Sequence, residues 1–596
     1  MKSMDKTTIK QNWKKIAVFL VILLTLWQLS AHFGPSIMFS GIGDHGDFES
    51  WCPLADPDAM KASNDNLLPS KDFSLDTSLQ KQIQRLSAAV KCPTETFDDN
   101  GDVDDDPRWR TFDGFHDTLK DLFPLIHGQK KLEKVNRYGL VYTFQGTSQE
   151  LKPLLLTAHQ DVVPATSLSK WTYPPFEPHY DGQYLWGRGS SDCKNNLIGI
   201  MSVVESLISQ DWKPRRSVVL AFGFDEETGG VRGAAKIAEV LERAWGRDGF
   251  VLILDEGGMG LTTVGDYVYA RPAVAEKGYM DAQLVLETSG GHSSRPPAHT
   301  GIGIIAEMIV ALEQNPYTPK LTKENPLRGF LECEAKYTPQ DLEPWLRRSL
   351  QRNDDGTEIG KKLADERGPR IRFSMQTSQA VDIVKGGDKV NALPETVSAT
   401  INYRIAPHDS LDIVKSKIAN LLEPIARNHN VNVEGFGGKS SAESRNESSS
   451  EEEPKSSFGT LYLNSLNDLS PSPISPTDIQ NPVWHIFSGT IRQVFEDTET
   501  LEGKKVIPVG DIMQGNTDTI QYWNLTKNIY RFSPARQGTR FGVHTTDEHI
   551  DMAAHLEGMR LYYGESLGLS SFCHSTTPEA TDEDIADDVC RDDTQL

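Results

Sequence analysis

The sequence predicts an α/β fold in which a smaller α+β domain interrupts one main domain, with a membrane-spanning helix at the N-terminus. From about residue 110 to 270, apolar strand patterns alternate with helical patterns, as in β-α-β units. Near residue 276 this alternation gives way to an α+β pattern. His544 could join the polar residues that stand at the strand ends between residues 110 and 270. It comes only after the α+β pattern. The simplest topology is therefore one main domain with an inserted domain.

The N-terminus carries lysines followed by an apolar run from Ile16 to about Phe33. The lysines are Lys2, Lys6, Lys10, Lys14 and Lys15. About 18 apolar residues is near the lower limit for spanning a bilayer, and lysines before the run keep residues 1–15 in the cytosol. We therefore expect an uncleaved type II signal anchor at 16–33. A cleaved signal peptide, with Ser30-Ala31 as the cleavage site, is the alternative.

Composition and periodicity divide the remainder of the chain into successive segments. The predicted segments are a stalk and loosely packed lead-in at 34–107 with a helix at about 77–90, main-domain parts at 108–275 and 458–570, an inserted α+β domain at 276–438, a disordered Ser- and Glu-rich linker at 439–457, and an acidic tail at 571–596. Within the inserted domain, strand patterns at 280–286 and 396–404 accompany helical patterns at 301–313 and 411–428.

Charge and cysteine content narrow the class of protein. The net charge is -23 and there is no dense basic patch, so we expect no nucleic-acid partner. The six cysteines fit no CxxC metal pattern; in an oxidising lumen Cys52 with Cys92 is the simplest pair, while Cys193 should stay reduced. Acceptor sequons at Asn446 and Asn524 are usable only on the lumenal side.

Polar residues that can bind metal stand where apolar strand patterns end. These residues are His159 after 154–158, Asp192 in a glycine-rich stretch, Glu226 and Glu227 after 218–222, Asp255 after 251–254, and the late His544. In open α/β sheets, ligand sites form beyond the carboxyl ends of the strands, so these side chains should converge. Two histidines and three carboxylates can hold a pair of zinc-type ions, and a spare glutamate can act as a base. The pattern predicts a co-catalytic metallohydrolase.

Two of these motifs have a specific physical rationale. Residues two apart in an extended chain point the same way, so Asp161 can orient the His159 ring. The consecutive carboxylates Asp225, Glu226 and Glu227 repel one another unless a cation compensates them; a solvated acidic loop is the alternative. The sequence contains no GxSxG, HExxH or Walker motif that would favour another hydrolase class.

In this order, the motifs resemble the dinuclear zinc peptidase superfamily that includes aminoacylase, succinyl-diaminopimelate desuccinylase and carboxypeptidase S. The resemblance covers about 110–570, and Ser191-Asp192-Cys193-Lys194-Asn195 is most similar to the vacuolar carboxypeptidase S branch. It implies a mixed-sheet zinc-peptidase catalytic domain, interrupted by an α+β lid or dimerisation domain. It also implies two zinc ions per subunit and a vacuolar or lysosome-like lumen.

The resemblance assigns roles residue by residue. The implied metal ligands are His159 and Asp255 for one zinc, Glu227 and His544 for the other, and Asp192 as the bridge. Glu226 falls on the general base and Asp161 on the carboxylate that orients His159. A cis peptide is implied at Asp192–Cys193. Asn195 and Cys193 differ from the residues that many relatives have at these positions. Neither is an implied ligand, so the difference bears on the local backbone shape and not on the chemistry.

The second domain supplies the implied substrate contacts. His292 matches a histidine that polarises the scissile carbonyl, while Asn391 and Arg404 match substrate-binding positions. Thr517 and Asp518 lie in a loop expected to face the substrate. The resemblance also allows a homodimer formed through the inserted domain.

We expect a metallocarboxypeptidase that hydrolyses the C-terminal peptide bond of small peptides with a zinc-activated water. An N-acyl-amino-acid hydrolase or synthase, with a lipid acyl group in place of the peptide, is the nearest alternative. An inactive membrane-anchored binding protein is a third. All five predicted ligands and Glu226 are present, which counts against the third reading.

Overall fold

The computed structural model describes residues 48–60, 67–129, 131–352, 354–436 and 457–571. The predicted anchor, Asn446, all but one residue of the predicted linker and all but one of the acidic tail lie outside these ranges. Within the described ranges, no helix combines the length and apolar character needed to cross a bilayer. The described residues up to Trp51 belong to a separate unit and contain a 3-10 turn at Phe48–Ser50.

The helices and strands of the second unit are numbered in chain order. The helices are Leu79–Val90 (α1), Thr111–Leu122 (α2), Pro124–Gly128 (α3), Lys194–Ser209 (α4), Ala234–Trp245 (α5), Gly301–Glu313 (α6), Pro326–Tyr337 (α7), Pro344–Leu350 (α8), Thr357–Arg367 (α9), Pro369–Phe373 (α10), Leu411–Asn428 (α11), Pro482–Glu496 (α12) and Met552–Ser571 (α13). The strands are Leu132–Val135 (β1), Gly139–Phe144 (β2), Leu154–His159 (β3), His179–Tyr180 (β4), Tyr184–Trp186 (β5), Val218–Gly223 (β6), Leu252–Asp255 (β7), Leu261–Val264 (β8), Tyr267–Ala270 (β9), Ala273–Glu276 (β10), Gly278–Thr288 (β11), Gly291–His292 (β12), Ser378–Gly386 (β13), Ala392–Leu393 (β14), Thr396–Ile405 (β15), Val431–Glu434 (β16), Gly459–Leu469 (β17), Lys505–Pro508 (β18), Asp511–Met513 (β19), Ile529–Arg531 (β20), Arg540–Phe541 (β21) and His549–Asp551 (β22).

The main sheet has eight strands in the order β1-β2-β6-β3-β7-β20-β10-β19 and is mixed, as predicted. Strands β6, β3, β7 and β20 run parallel to one another, so their carboxyl ends meet at one edge. Because successive side chains in a strand point to opposite faces, Leu154 and Leu156 pack with α4 on one face. Leu155 and Ile253 pack with α5 on the other face. Both faces are covered, which explains why these strands read as continuous apolar runs.

A second sheet, with strand order β13-β15-β11-β17-β16, has its own apolar core under α6 and α11. Each helix starts at a side-chain cap: the hydroxyl of Thr300 accepts from the backbone N–H of Gly303, and that of Ser410 accepts from Ile413. Strand β17 pairs with β11 in this sheet. The predicted boundary at 458 is therefore corrected, because β17 belongs to the inserted domain and not to the second main-domain part.

The predicted loosely packed lead-in also differs from the structure. Helix α1 is amphipathic and buries Leu86, Ala89 and Val90 against the main core, where α1 contacts α4. The apolar side chains of α1 recur at helical spacing, so one face can join a core that it precedes in the chain. This stretch is thus part of the main domain and not a stalk.

The disulfide joins Cys52 to Cys333 in α7, so the predicted pairing of Cys52 with Cys92 is wrong. The two cysteines are 281 residues apart in sequence and meet because α7 folds beside the start of the unit. The spacing of cysteines along the sequence does not predict a disulfide between residues so far apart. Cys92 is free, and Cys193 is free and buried, as expected for Cys193.

Candidate active site

Side chains from four separate parts of the main domain meet at the carboxyl edge of the main sheet. His159 ends β3, Asp192 precedes α4, Glu227 follows β6 and His544 precedes β22. The Nε2 atom of His159 lies 3.3 Å from Oδ1 of Asp192. The Nε2 atom of His544 lies 3.1 Å from Oδ2 of Asp192 and 3.0 Å from Oε2 of Glu227. The two oxygens of Asp192 thus face different histidines, the arrangement of a carboxylate that bridges two cations.

Asp161 fixes the orientation of His159 and of the following acidic turn. The Nδ1 atom of His159 lies 3.0 Å from the backbone oxygen of Asp161 and 3.3 Å from its Oδ1. The Asp161 carboxylate also accepts hydrogen bonds from the hydroxyl of Thr96 and from the backbone N–H groups of Glu226 and Glu227. With Nδ1 engaged by Asp161, Nε2 is the ring atom that faces the other ligands.

The local backbone brings the acidic side chains to the sheet edge. Glu226 begins a 3-10 turn, Glu226–Thr228, directly after β6. Asp225 holds this turn and the loop after it, because its backbone oxygen accepts from the N–H of Thr228 and its carboxylate accepts from the backbone N–H groups of Arg232 and Gly233. The peptide bond Asp192–Cys193 is cis, as the resemblance implied.

Glu256, and not the predicted ligand Asp255, lies beside His159. Oε1 of Glu256 is 3.2 Å from Nε2 of His159, and His159, Asp192, Cys193 and Glu256 form one group that could hold a metal ion. The carboxylate of Asp255 instead accepts from the backbone N–H of Glu256 and is buried at the end of β7. Adjacent side chains of an extended chain diverge, so only one of the pair reaches the site. The motif shows two carboxylates without showing which one faces the histidine.

The electrostatics of this cluster favour cation binding. Burial and the neighbouring carboxylates Glu227 and Glu256 raise the pKa of Glu226 well above its usual value. Burial likewise raises the pKa of Glu227 to about 7. Hydrogen bonds to Asp192 and Glu227 raise the pKa of His544 to about 10. Oε1 of Glu227 is buried without a hydrogen-bond partner among the described residues. Crowded carboxylates with an unpartnered buried oxygen fit two divalent cations of the zinc type.

A cavity of about 450 Å³ opens beside this cluster. Asp192, Glu226, Glu256 and His544 line it on one side, and Asn516 lines it on another. Oδ1 of Asn516 accepts a hydrogen bond of 3.0 Å from Nη1 of Arg404 in β15. The Arg404 guanidinium also stacks over the Tyr279 ring, 4.5 Å from its centre. Arg404 thus contacts a residue of the cavity wall, although it does not itself line the cavity.

Thr517 and Asp518 do not face the cavity, contrary to the expectation for this loop. Both side chains are buried, and the Thr517 hydroxyl donates to Glu276. The Asp518 carboxylate lies so close to Gly223 and Gly230 that a Cβ atom at either glycine would collide with it. The residues of this loop that line the cavity are Gly515 and Asn516. The motif marks the loop, but it does not show which residues are buried; Thr517 and Thr519 both donate hydrogen bonds to the buried Glu276.

His292 and Asn391 lie outside the cluster. They lie at a two-stranded arm in which β12 pairs with β14, and both are exposed. Nδ1 of His292 accepts a hydrogen bond of 3.1 Å from the backbone N–H of Ser294. Within this chain, the structure does not bring either side chain to the metal-binding groups among the described residues.

Comparisons with known proteins agree with this architecture. The family model described as peptidase family M20/M25/M40 matches residues 155–564. Carboxypeptidase S of Saccharomyces cerevisiae is 38% identical over 543 residues, which cover 87% of this chain and 90% of that protein. The N-fatty-acyl-amino acid synthase/hydrolase of Mus musculus is 29% identical over 480 residues, 79% of this chain and 84% of that protein.

Solved structures share the fold at low identity. Human carnosine dipeptidase 1 superimposes with a TM-score of 0.54 at 14% identity, covering 83% of this chain and 97% of that one. An M20 family metallo-carboxypeptidase from Sulfolobus solfataricus gives a TM-score of 0.52 at 16% identity, covering 82% and 99%. With the match to the family model over most of its length, the chain belongs to peptidase family M20/M25/M40.

Proposed function

We propose that this protein is a zinc-dependent metallocarboxypeptidase that hydrolyses the C-terminal peptide bond of small peptides. The observation that carries this proposal is the position of Arg404. Its guanidinium contacts Asn516 at the wall of the cavity that also contains Asp192 and Glu226. A guanidinium can grip a carboxylate with two hydrogen bonds, so the site can select a substrate by its C-terminal carboxylate. The 38% identity to carboxypeptidase S supports the same conclusion.

The proposed metal ligands form two groups that share Asp192. His159 and Glu256 complete one group, and Glu227 and His544 complete the other. Two divalent cations held there would supply Lewis-acid activation of a water molecule and of the substrate carbonyl. Neither group needs Asp255, which we place behind the ligands as a buried support for the Glu256 backbone.

Glu226 is the proposed general base. Its carboxylate lines the cavity but is farther from His159 than the carboxylates of Asp192 and Glu256 are, at 3.9 Å between Oε2 and Nε2. It takes a proton from the water that attacks the scissile carbonyl carbon. It then gives this proton to the amine nitrogen as the C–N bond breaks, which releases the C-terminal amino acid. A carboxyl group whose pKa is raised above its usual value by burial suits both transfers.

The proposal predicts strict selection for a free C-terminal carboxylate. Purified full-length protein with zinc should hydrolyse an N-blocked Gly-Leu dipeptide but not its C-terminal amide. Arg404→Met should lower kcat/KM for the free acid by about 100-fold, because a bidentate charged pair is worth roughly 3 kcal/mol. The matched control is Arg427→Met, at an exposed arginine on α11 that pairs with Glu423. Equal hydrolysis of acid and amide by the wild type would contradict the proposal.

Hydrolysis of N-acyl amino acids is the second candidate function. The cavity wall includes Met259 and Met513, whose flexible thioether side chains can adapt to an apolar acyl chain. The mouse relative at 29% identity is named for this chemistry. The same assay with an N-fatty-acyl leucine decides between the two: a kcat/KM above that of the dipeptide would favour this second function.

His292 and Asn391 are proposed to contact substrate only when another element completes the site. Both are exposed on the arm formed by β12 and β14, and Val390 beside them is fully exposed. In a homodimer formed through the inserted domain, this arm could pack against the partner subunit. Light scattering of the purified protein tests this: a mass of one chain under assay conditions would rule out the dimer.

We propose that the catalytic part lies in a vacuole- or lysosome-like lumen, behind a type II signal anchor. The lysine-flanked apolar run at 16–33 supports the topology. The Cys52–Cys333 disulfide supports an oxidising compartment, and Asn524 of the second sequon is exposed. Protection of a C-terminal tag from protease in intact organelles is expected; its digestion would contradict this topology.

A further inference from the structure

Glu548 is a buried carboxylate next to the proposed bridging ligand, and it is not among the site residues expected from the sequence. We propose that Glu548 is a positioning residue that holds Asp192 and His544 in metal-binding geometry. It does not line the cavity, so it acts through these two ligands rather than on the substrate. This inference rests on the proposed metal site and extends it.

The strand pairing places Glu548 beside the loop that carries Asp192. Strand β22 pairs antiparallel with β5, with His549 opposite Trp186. The next residues outward are therefore Glu548 and Gly187, and the backbone N–H of Gly187 donates to the backbone oxygen of Glu548 at 2.9 Å. The side chain of Glu548 is thereby directed into the 187–192 loop.

The Glu548 carboxylate accepts several hydrogen bonds from this loop. Oε1 accepts from the backbone N–H groups of Ser191 at 2.8 Å and of Asp192 at 3.0 Å. Oε2 accepts from the backbone N–H of Gly189 at 3.0 Å and from Nη1 of Arg188 at 2.7 Å. One side chain thus determines the path of the backbone immediately before the ligand Asp192.

Arg188 connects the same carboxylate to the segment that carries His544. Its Nη2 donates to the backbone oxygen of Thr545 at 2.9 Å, while Nη1 pairs with Glu548. His544 itself is half exposed, and its Nε2 atom lies beside the carboxylates of Asp192 and Glu227. The Arg188–Glu548 pair therefore joins two loops 360 residues apart in sequence that supply ligands to the same metal group.

The charge of Glu548 is essential to this arrangement. Four donors converge on its two oxygens, so an anionic acceptor-only group satisfies all of them. The Glu548→Gln substitution leaves the side-chain volume nearly unchanged. Its amide NH₂ group, however, is a donor and would face N–H groups that need an acceptor. The loop before Asp192 should then shift by enough to change the metal geometry, since ligand-orienting partners typically contribute 10–100-fold to metal affinity or activity.

The test compares Glu548→Gln with a matched buried ion pair elsewhere in the main domain. Asp511→Asn breaks the buried pair between Asp511 and Arg271, which are 2.7 Å apart, and it should lower thermal stability without changing metal binding. For each full-length protein, zinc affinity is measured by competition with a chromophoric chelator. The absorption spectrum of the cobalt-substituted protein reports ligand geometry independently of activity.

Glu548→Gln should bind zinc 10–100-fold more weakly, show an altered cobalt spectrum, and lower kcat with little change in KM. A zinc affinity and cobalt spectrum identical to wild type, with a stability loss like that of Asp511→Asn, would overturn the proposal. If the Glu548→Gln variant does not fold, the Arg188→Lys variant is measured in its place. The lysine retains the positive charge but cannot bridge Glu548 and Thr545. An unchanged spectrum in that variant overturns the proposal, and a changed one supports it. Failure of peptide hydrolysis in the wild type would instead count against the proposed function alone.

Discussion

Glu226→Gln is expected to lower kcat by a factor on the order of 10³, while two zinc ions remain bound, because general acid–base groups contribute 10²–10⁴-fold. The amide has nearly the same shape but cannot take the proton from water. The measurement is kcat together with metal content by elemental analysis. Glu239→Gln, at an exposed carboxylate on α5, is the matched control and should retain full activity.

Metal content separates the two roles that Glu226 could have. Loss of one zinc ion together with activity would show that Glu226 is a ligand, contradicting its assignment as the base. The geometry favours the base, since Glu226 lies farther from His159 than Asp192 and Glu256 do, while Glu227, the next residue, is the one that meets His544.

Glu256→Ala is expected to remove one zinc ion per chain and to lower kcat/KM by roughly 10³-fold. A catalytic cation supplies several kcal/mol of transition-state stabilisation, and about 4 kcal/mol corresponds to this factor. Asp255→Ala removes the neighbouring carboxylate, which does not join the metal-binding group with His159 and Asp192. We therefore expect Asp255→Ala to retain both ions.

The comparison of the two variants is decisive because the residues are adjacent and both are carboxylates. If Asp255→Ala loses an ion and Glu256→Ala does not, the sequence-based assignment of Asp255 would be restored and the ligand set read from the structure would be wrong. Elemental analysis after gel filtration distinguishes these results without an activity assay.

The main sheet and its functional edge were predictable for a simple physical reason. Strands β3, β6 and β7 are parallel and covered on both faces, so each appears as an apolar run that ends in a polar residue or is followed by one within two residues. His159 and Glu227 could be placed together because the carboxyl ends of neighbouring parallel strands share an edge.

Other features depend on contacts that sequence patterns do not encode. Asp255 and Glu256 are adjacent carboxylates, and the direction of the chain after β7 determines which of them faces His159. The sequence motif does not indicate this direction. The Cys52–Cys333 pair forms across 281 residues. Strand β17 follows the Ser- and Glu-rich segment yet joins the sheet that precedes it. Glu548 is not among the residues expected at the site, and the pairing of β22 with β5 reveals its position.

The measurement that tests the central claim most directly is a zinc titration of the metal-free full-length protein. Hydrolysis of the N-blocked Gly-Leu free acid is recorded after each addition of zinc. We expect activity that depends on zinc and reaches its plateau at two equivalents per chain, as the two ligand groups sharing Asp192 require. Full activity without zinc, or a plateau at one equivalent, would contradict a two-zinc carboxypeptidase.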